Sequence, residues 1–386
     1  MKSIEIKGKE EFLQNVKQQV SGRDFKLIEK AVWVLQDNVV WDETLPWGKK
    51  RCVVPCMSGF PGIWNWDTAF HCLGLSRMDP EFAMEHMETF CSYQKEDGLF
   101  PDVIFFDGRV VDTFGKPPVM AWACEAIYKR SQDLEFLKRM YVRLLKNVEF
   151  WEKKRNHKGL FHYDAAVVDG VKKPLEVRYE SGWDNSVRWD VEEPEVFWAI
   201  DLNCFMTMTY RSMEFISKEL EITDTDWQKK AENLTKLVEE KFWSEKQECY
   251  VDRNYQTDEL SDILTPASFM PLYIGIASKE HAEGCMRAAK KHFAYGMPTV
   301  AYDHPEHGTD YWRGLTWLNV AYFAAKGLKD YGYTEIADQI RDTILTWVEK
   351  DGDQIHENYN SKTGEGCGAP YFSWSAVFVM EFLLHF

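Results

Sequence analysis

Apolar positions recur at helical spacing over most of the chain. Between 133 and 153, Leu137, Met140, Tyr141, Leu144, Leu145, Val148 and Trp151 fall on one face, and Ile336, Ile340, Ile344 and Val348 repeat the pattern over 335–349. Similar stripes run through 24–40, 66–76, 80–95, 117–130, 195–218, 226–243, 266–278, 280–292, 314–331 and 373–385, with a shorter one at 9–20. The pattern predicts twelve or thirteen helices and no series of alternating strands. Stop signals such as Gly332 close many of the connections. The segments 41–65, 97–116, 155–194, 294–313 and 351–372 are instead long and rich in Gly, Pro, Trp and charge. Long loops in a compact chain usually carry function. No Ser/Gly linker, low-complexity tract or composition break divides the sequence, so residues 1–386 read as a single all-α domain.

Charge narrows the range of partners. The chain carries 46 Lys and Arg against 62 Asp and Glu, a net charge of −16. This balance, without a basic block, argues against nucleic acid or an anionic membrane surface as partner. No apolar run approaches the roughly 18 residues of a membrane helix. The first twenty residues are charged throughout and lack the apolar region of a signal peptide, so a cytoplasmic location is expected. Nine scattered cysteines, without a C-x-x-C pair, read as buried reduced thiols and not as a zinc site. Aromatic residues reach 15%, including 16 Trp, which suggests rings lining a binding surface.

The chemistry concentrates in the loops. Residues 178–190 place Trp183 and Trp189 beside Glu180, Asp184, Asp190, Arg178 and Arg188. Such a mixture suits a sugar, whose apolar face stacks on rings while its hydroxyls meet charged groups. An exposed polar loop plugged by Trp183 is the alternative. A second cluster, Trp64-Asn65-Trp66-Asp67, leads into a helix, where Asp67 also reads as an N-cap. A third is Tyr311-Trp312-Arg313-Gly314 with Trp317, and a fourth joins His356-Glu357-Asn358-Tyr359 to Glu365 and Phe372-Ser373-Trp374. Paired carboxyls in aromatic loops suit glycoside hydrolysis: one stays protonated, helped by burial, while the other ionises to activate water or attack directly. From the residues alone, Asp67, Asp102, Glu180, Asp184, Asp190, Glu357 and Glu365 all remain candidates.

The blocks GIWNWDTAFHCLGL, PPVMAWACEAIY, SGWDNSVRWD, YWRGLTWLNVAYFAAKGLKDYGY and HENYNSKTGEG with YFSWSA, in this order from about residue 58, resemble glycoside hydrolase family 63. The likeness is greatest to its short bacterial members, which include mannosylglycerate and glucosylglycerate hydrolases, and is more distant to trehalases. The resemblance implies an (α/α)6 barrel whose loops surround the active site. It also implies hydrolysis with inversion and neither metal nor cofactor. By motif, Asp184 corresponds to the general acid and Glu357 to the general base. Trp66 and Asp67 correspond to the lining of the subsite for the cleaved sugar, with Trp64 on the same loop. Tyr311, Trp312, Arg313, Trp317, Gly182, Trp183, Arg188 and Trp374 are expected around it. The substrate implied is a small carbohydrate, with an α-glucosidase-like activity.

Three positions depart from the pattern. The family writes Gln-Pro-Pro where this chain has Lys116-Pro117-Pro118, often a glutamine at Tyr371, and in glycerate-recognising members a tyrosine at Phe60. The departures bear on glycerate recognition more than on glycosidase chemistry, and Lys116 is added to the candidate substrate contacts. A glycerate-specific enzyme would need Arg178, Arg188 or Lys116 to converge on the carboxylate. A sugar epimerase would instead use histidines such as His71, His304 or His356, and a binding protein would need neither carboxyl.

Overall fold

The computed structural model describes residues 4–164, 176–293 and 296–386, together with the backbone of 167–168 and 171–172. The remaining parts of the two expected loops 155–194 and 294–313 lie outside the described residues. Fourteen helices are found among the described residues: Lys9–Lys17 (α1), Gly22–Asp37 (α2), Asn65–Leu75 (α3), Pro80–Cys91 (α4), Met120–Ser131 (α5), Leu134–Lys154 (α6), Glu176–Ser181 (α7), Ile200–Glu219 (α8), Trp227–Lys241 (α9), Met270–Tyr273 (α10), Lys279–His292 (α11), Leu318–Asp330 (α12), Thr334–Lys350 (α13) and Ser373–Leu384 (α14).

Six of these close a ring. Helix α3 packs on α5, α5 on α8, α8 on α10, α10 on α12, α12 on α14, and α14 back on α3. Outside it, α2 covers α14, α4 covers α3, α6 lies against α5 and α8, α9 covers α8, and α13 covers α12. This is the (α/α)6 arrangement that the resemblance implies. Sequence decides the layer each helix takes. Every residue of α3 is buried, as are Ser373 to Phe382 of α14, so both need apolar partners on all sides. Helix α6 buries the predicted stripe except the half-buried Leu145, adds Phe136, Asn147 and Phe150 to it, and leaves the opposite face charged. No described helix is long and apolar enough to cross a membrane.

Capping follows the same division. Five helices outside the ring begin on polar caps, α13 with Tyr333 being an exception: Ser21 accepts from the Asp24 N–H, Asp79 from Phe82, Asp133 from Phe136, Asp226 from Lys229 and Ser278 from His281. Inner helices α3, α12 and α14 instead have Trp64, Trp317 and Phe372 at the cap position, with no side-chain cap. Those three aromatics face the same cavity. The ring therefore points three helix N-termini, with their partial positive charge, at one place.

The expected elements shift where proline or glycine intervenes. The segment 266–278 forms a 3₁₀ turn over Pro266–Phe269 and only four residues of α-helix, because Pro271 has no N–H to extend the turn and Gly275 leaves at a positive φ of 68°. Helix α5 starts at Met120, after Pro117-Pro118. Helix α8 starts at Ile200, since Phe197–Trp198 pairs with Arg253–Asn254 instead. Strands of two or three residues brace the loops. Gly62–Trp64 pairs with Val103–Phe105, which pairs with Val110–Val111. Asn358–Tyr359 pairs with Gly366–Cys367, and Tyr359 also bridges Thr316. All nine cysteines are free thiols, eight of them buried.

Candidate active site

One cavity at the mouth of the ring gathers residues from loops far apart in sequence. Phe60, Trp64, Trp66, Asp67, Lys116, Gly182, Asp184, Tyr311, Trp312, Trp317, Glu357, Phe372 and Trp374 line it, and it encloses about 410 Å³ including its open mouth. The floor is tryptophan. Trp312 and Trp317 stack with centroids 3.9 Å apart and planes at 11°, Trp317 continues onto Trp374 at 5.7 Å, and Trp183 supports Trp312 from behind at 4.9 Å. Phe60, Trp64, Tyr311 and Asp184 are only half buried and form the rim, while the other lining residues are buried.

Each carboxyl is held by a recognisable local device. The short helix α7 ends at Ser181, whose Oγ accepts from the Trp183 N–H at 3.1 Å and from Trp189 Nε1 at 3.0 Å. Between them Gly182 takes φ 76°, and a Cβ there would lie 2.5 Å from the Trp66 ring, so only glycine lets the acidic loop close on the floor. Asp184 follows, facing the cavity. Asn185, the next residue, accepts from the Trp312 N–H at 2.8 Å and donates to the Asp310 carbonyl, which locks the Asp184 loop to the Tyr311 loop.

Glu357 reaches the same cavity from a segment much further along the chain. Thr316 and Tyr359 exchange backbone hydrogen bonds of 2.8 and 2.9 Å, which carries the Glu357 segment alongside Tyr311. The Tyr311 hydroxyl donates to Glu357 Oε1 at 2.7 Å, and the Ala369 N–H donates to Oε2 at 3.2 Å. Gly368 makes this approach possible: at φ 69° it leaves Oε2 in the space where a Cβ would stand, 2.5 Å away.

Asp67 is the third residue of α3 and not its cap, and its side chain enters the cavity. The Asn65 N–H donates to the Asp102 carbonyl at 2.9 Å, which brings Asp102 in behind it. Lys116 Nζ lies 2.8 Å from Asp102 Oδ1 and donates to the Tyr179 carbonyl at 2.5 Å.

Burial dominates the electrostatics. It pushes Asp67 up to about 8, against the pull of Lys116. It raises Asp184 to about 6, with Lys116 opposing and Asp102 assisting. It raises Glu357 to about 7, with the Tyr311 hydroxyl and Ala369 N–H opposing and Asp184 assisting. Burial works against the Lys116 ammonium, but Asp102, Asp184 and Asp67 outweigh it and hold the group above the usual lysine range. Three carboxyls that titrate close to neutral pH are the raw material of acid–base catalysis.

The remaining sequence candidates lie elsewhere. Arg188 is buried behind Trp183, its guanidinium 4.9 Å from that ring, with bidentate bonds to Asp201 and Asp252 at 2.8–2.9 Å. Arg313 pairs with Asp190 and Glu306 outside the cavity, and Arg178 pairs with Asp190. Glu180 is consumed by Arg155 and the Asp164 N–H. Glu365 sits on the hairpin beyond Asn360. His71 is buried against Ser373, and His356 is paired with Asp351; neither lines the cavity, nor does His304. Sequence reasoning did not single out Asn185 or Gly368. Both lie inside or beside quoted blocks, but their roles depend on a partner more than a hundred residues away or on backbone geometry.

A ring of helical hairpins with acidic loops over a tryptophan floor defines a carbohydrate-processing enzyme by fold and site together. The chain belongs to the mannosylglycerate hydrolase MGH1-like glycoside hydrolase family, whose model matches residues 60–375. It is a glycoside hydrolase of the family 63 type. It is 25% identical over 407 residues to mannosylglycerate hydrolase MGH1 of Selaginella moellendorffii, covering 86% of this chain and 82% of that one. A putative periplasmic trehalase of Salmonella typhi is 23% identical over 408 residues, covering 89% and 69%. The crystal structure of the GH63 mannosylglycerate hydrolase from Thermus thermophilus in complex with glucose superposes with a TM-score of 0.76 at 23% identity, over 92% of this chain and 99% of that one.

Proposed function

We propose that the protein is an inverting exo-acting α-glycosidase, α-glucosidase-like, that releases one sugar from a small α-glycoside. Asp184 is the general acid and Glu357 the general base. The observation that carries the reading is that these two carboxyls, 173 positions apart in the chain, line one tryptophan-floored pocket. Their hydrogen bonding separates the roles. The Glu357 carboxyl accepts two hydrogen bonds, the pattern of a carboxylate that activates water. Among the described residues no hydrogen bond engages the Asp184 carboxyl, which stands at the rim where a glycosidic oxygen would lie. This pattern outweighs the small difference between their raised values, about 6 and about 7, which by itself would order them the other way. Asp67 and Lys116 then meet the hydroxyls of the cleaved sugar while Trp66 and the stacked tryptophans support its ring. A pocket closed by buried rings suits a terminal sugar and not the interior of a polymer.

A second reading is hydrolysis of mannosylglycerate or trehalose, for which relatives are named, or of glucosylglycerate, which the family resemblance implies. One experiment serves both. Proton NMR during cleavage of α-linked glucosides, mannosides and galactosides, trehalose and both glycosylglycerates included, reads the anomer first released. The β-anomer appearing before mutarotation is expected. The α-anomer appearing first would mean retention and remove Glu357 from its role.

A further inference from the structure

The rim of the pocket carries an unusual distribution of charge. The cavity lining holds three carboxyls, Asp67, Asp184 and Glu357, against a single cation, Lys116. That cation is already paired with a carboxylate. Its Nζ lies 2.8 Å from Asp102 and donates to the Tyr179 carbonyl. Other arginines of the neighbouring loops are committed as well: Arg313 and Arg178 to Asp190, Arg188 to Asp201 and Asp252, and Arg109, which stacks on Phe105 behind Trp64, to Asp107. Among the described residues no Lys or Arg other than Lys116 lines the cavity.

The half-buried part of the rim is instead aromatic. Phe60 meets Trp64 edge-on at 5.4 Å and Phe372 at 5.4 Å, and Trp64 leans on Phe105 at 5.8 Å. These contacts fix the rings as a rigid wall. Trp64 Nε1 is buried without a partner, so the polar edge of that indole is turned away from solvent. An anionic leaving group would have to shed its water between this wall and the two catalytic carboxyls, with the already paired Lys116 as the one cation among the described lining residues. An uncharged group with an apolar ring face would gain from the same surface.

Resting on the glycosidase reading above, we infer that Phe60 and Trp64 form the subsite for the leaving group, and that it takes an uncharged, ring-bearing alcohol such as a second sugar and discriminates against a carboxylate. The chain thereby differs in substrate class from the mannosylglycerate hydrolases it is similar to.

The test is a matched series with one glycone and four leaving groups: glucose, glycerol, D-glycerate and fluoride. Glycerol and D-glycerate differ by little more than the charge. The expected kcat/KM is highest for glucose, and glycerol exceeds D-glycerate by tenfold or more. Phe60→Ala is expected to lower kcat/KM on the glucose-linked substrate several-fold more than on the fluoride, which has no organic leaving group to touch the wall. A D-glycerate substrate cleaved as well as or better than the glycerol one overturns the inference, and does so on the parent enzyme whether or not the variant folds. That outcome leaves the glycosidase reading standing. Failure to cleave any of the series, fluoride included, overturns both.

Discussion

Replacing Asp184 by Asn removes a proton donor while preserving shape, and two independent consequences follow. In catalysis, loss of general-acid help costs about 10² to 10⁴ in rate, or about 2.7–5.4 kcal/mol at the barrier. The cost falls on leaving groups that need a proton, so kcat/KM on an alkyl or sugar glycoside should collapse while the corresponding α-glycosyl fluoride is far less affected. In stability the sign reverses. The folded Asp184 carboxyl titrates near 6 against 3.8 for the ordinary group, raised by burial, so folding favours its neutral form. Its contribution is complete below the unfolded value and is lost as pH rises through about 6. Two units correspond to a ceiling of about 3 kcal/mol, and water at the rim screens part of this, leaving about 1–3 kcal/mol. The Asn variant should therefore match the parent in urea unfolding near pH 4 and exceed it near pH 8. A uniform rate loss across both leaving groups, or a variant less stable than the parent at pH 8, would refute the assignment of Asp184 as a buried acid.

Two further substitutions separate site geometry from support. Gly182→Ala places a methyl group 2.5 Å from the Trp66 ring at φ 76°; it should cost about 1–3 kcal/mol in unfolding experiments and lower kcat/KM about a hundredfold by displacing the acid loop. Arg188→Leu leaves Asp201 and Asp252 buried without their cation, so it should destabilise by about 3–5 kcal/mol in urea unfolding while the folded fraction keeps its KM; a raised KM would place Arg188 in contact with substrate after all.

Much of this was legible along the chain, for a simple reason. A helix that must be buried on all sides needs apolar residues throughout, as in α14, whereas a helix with one wet face needs a stripe, as in α6. Both are local patterns with a period that the sequence displays directly. Prolines and glycines punctuated the rest, although the effect of Pro271 in splitting 266–278 depended on the turn that Pro266 begins before it. The motif blocks likewise marked the loops that converge on the cavity.

Composition and spacing could not sort carboxylates and arginines that look alike in a loop. Glu180 and Asp184 stand four residues apart, yet one is locked under Arg155 and the other faces the cavity. Arg188 is chemically suited to a sugar hydroxyl and is instead the cation of a buried pair behind Trp183. Lys116 reads as a substrate contact and does line the cavity, but its pairing with the buried Asp102 could not be read from the sequence. The sequence by itself determined which segments are helical and which loops hold the chemistry, because periodicity and backbone restriction act over a few residues. Only the tertiary structure decided which charges neutralise one another and which face the pocket, because desolvation and pairing depend on neighbours that the folded ring brings from a hundred or more positions away.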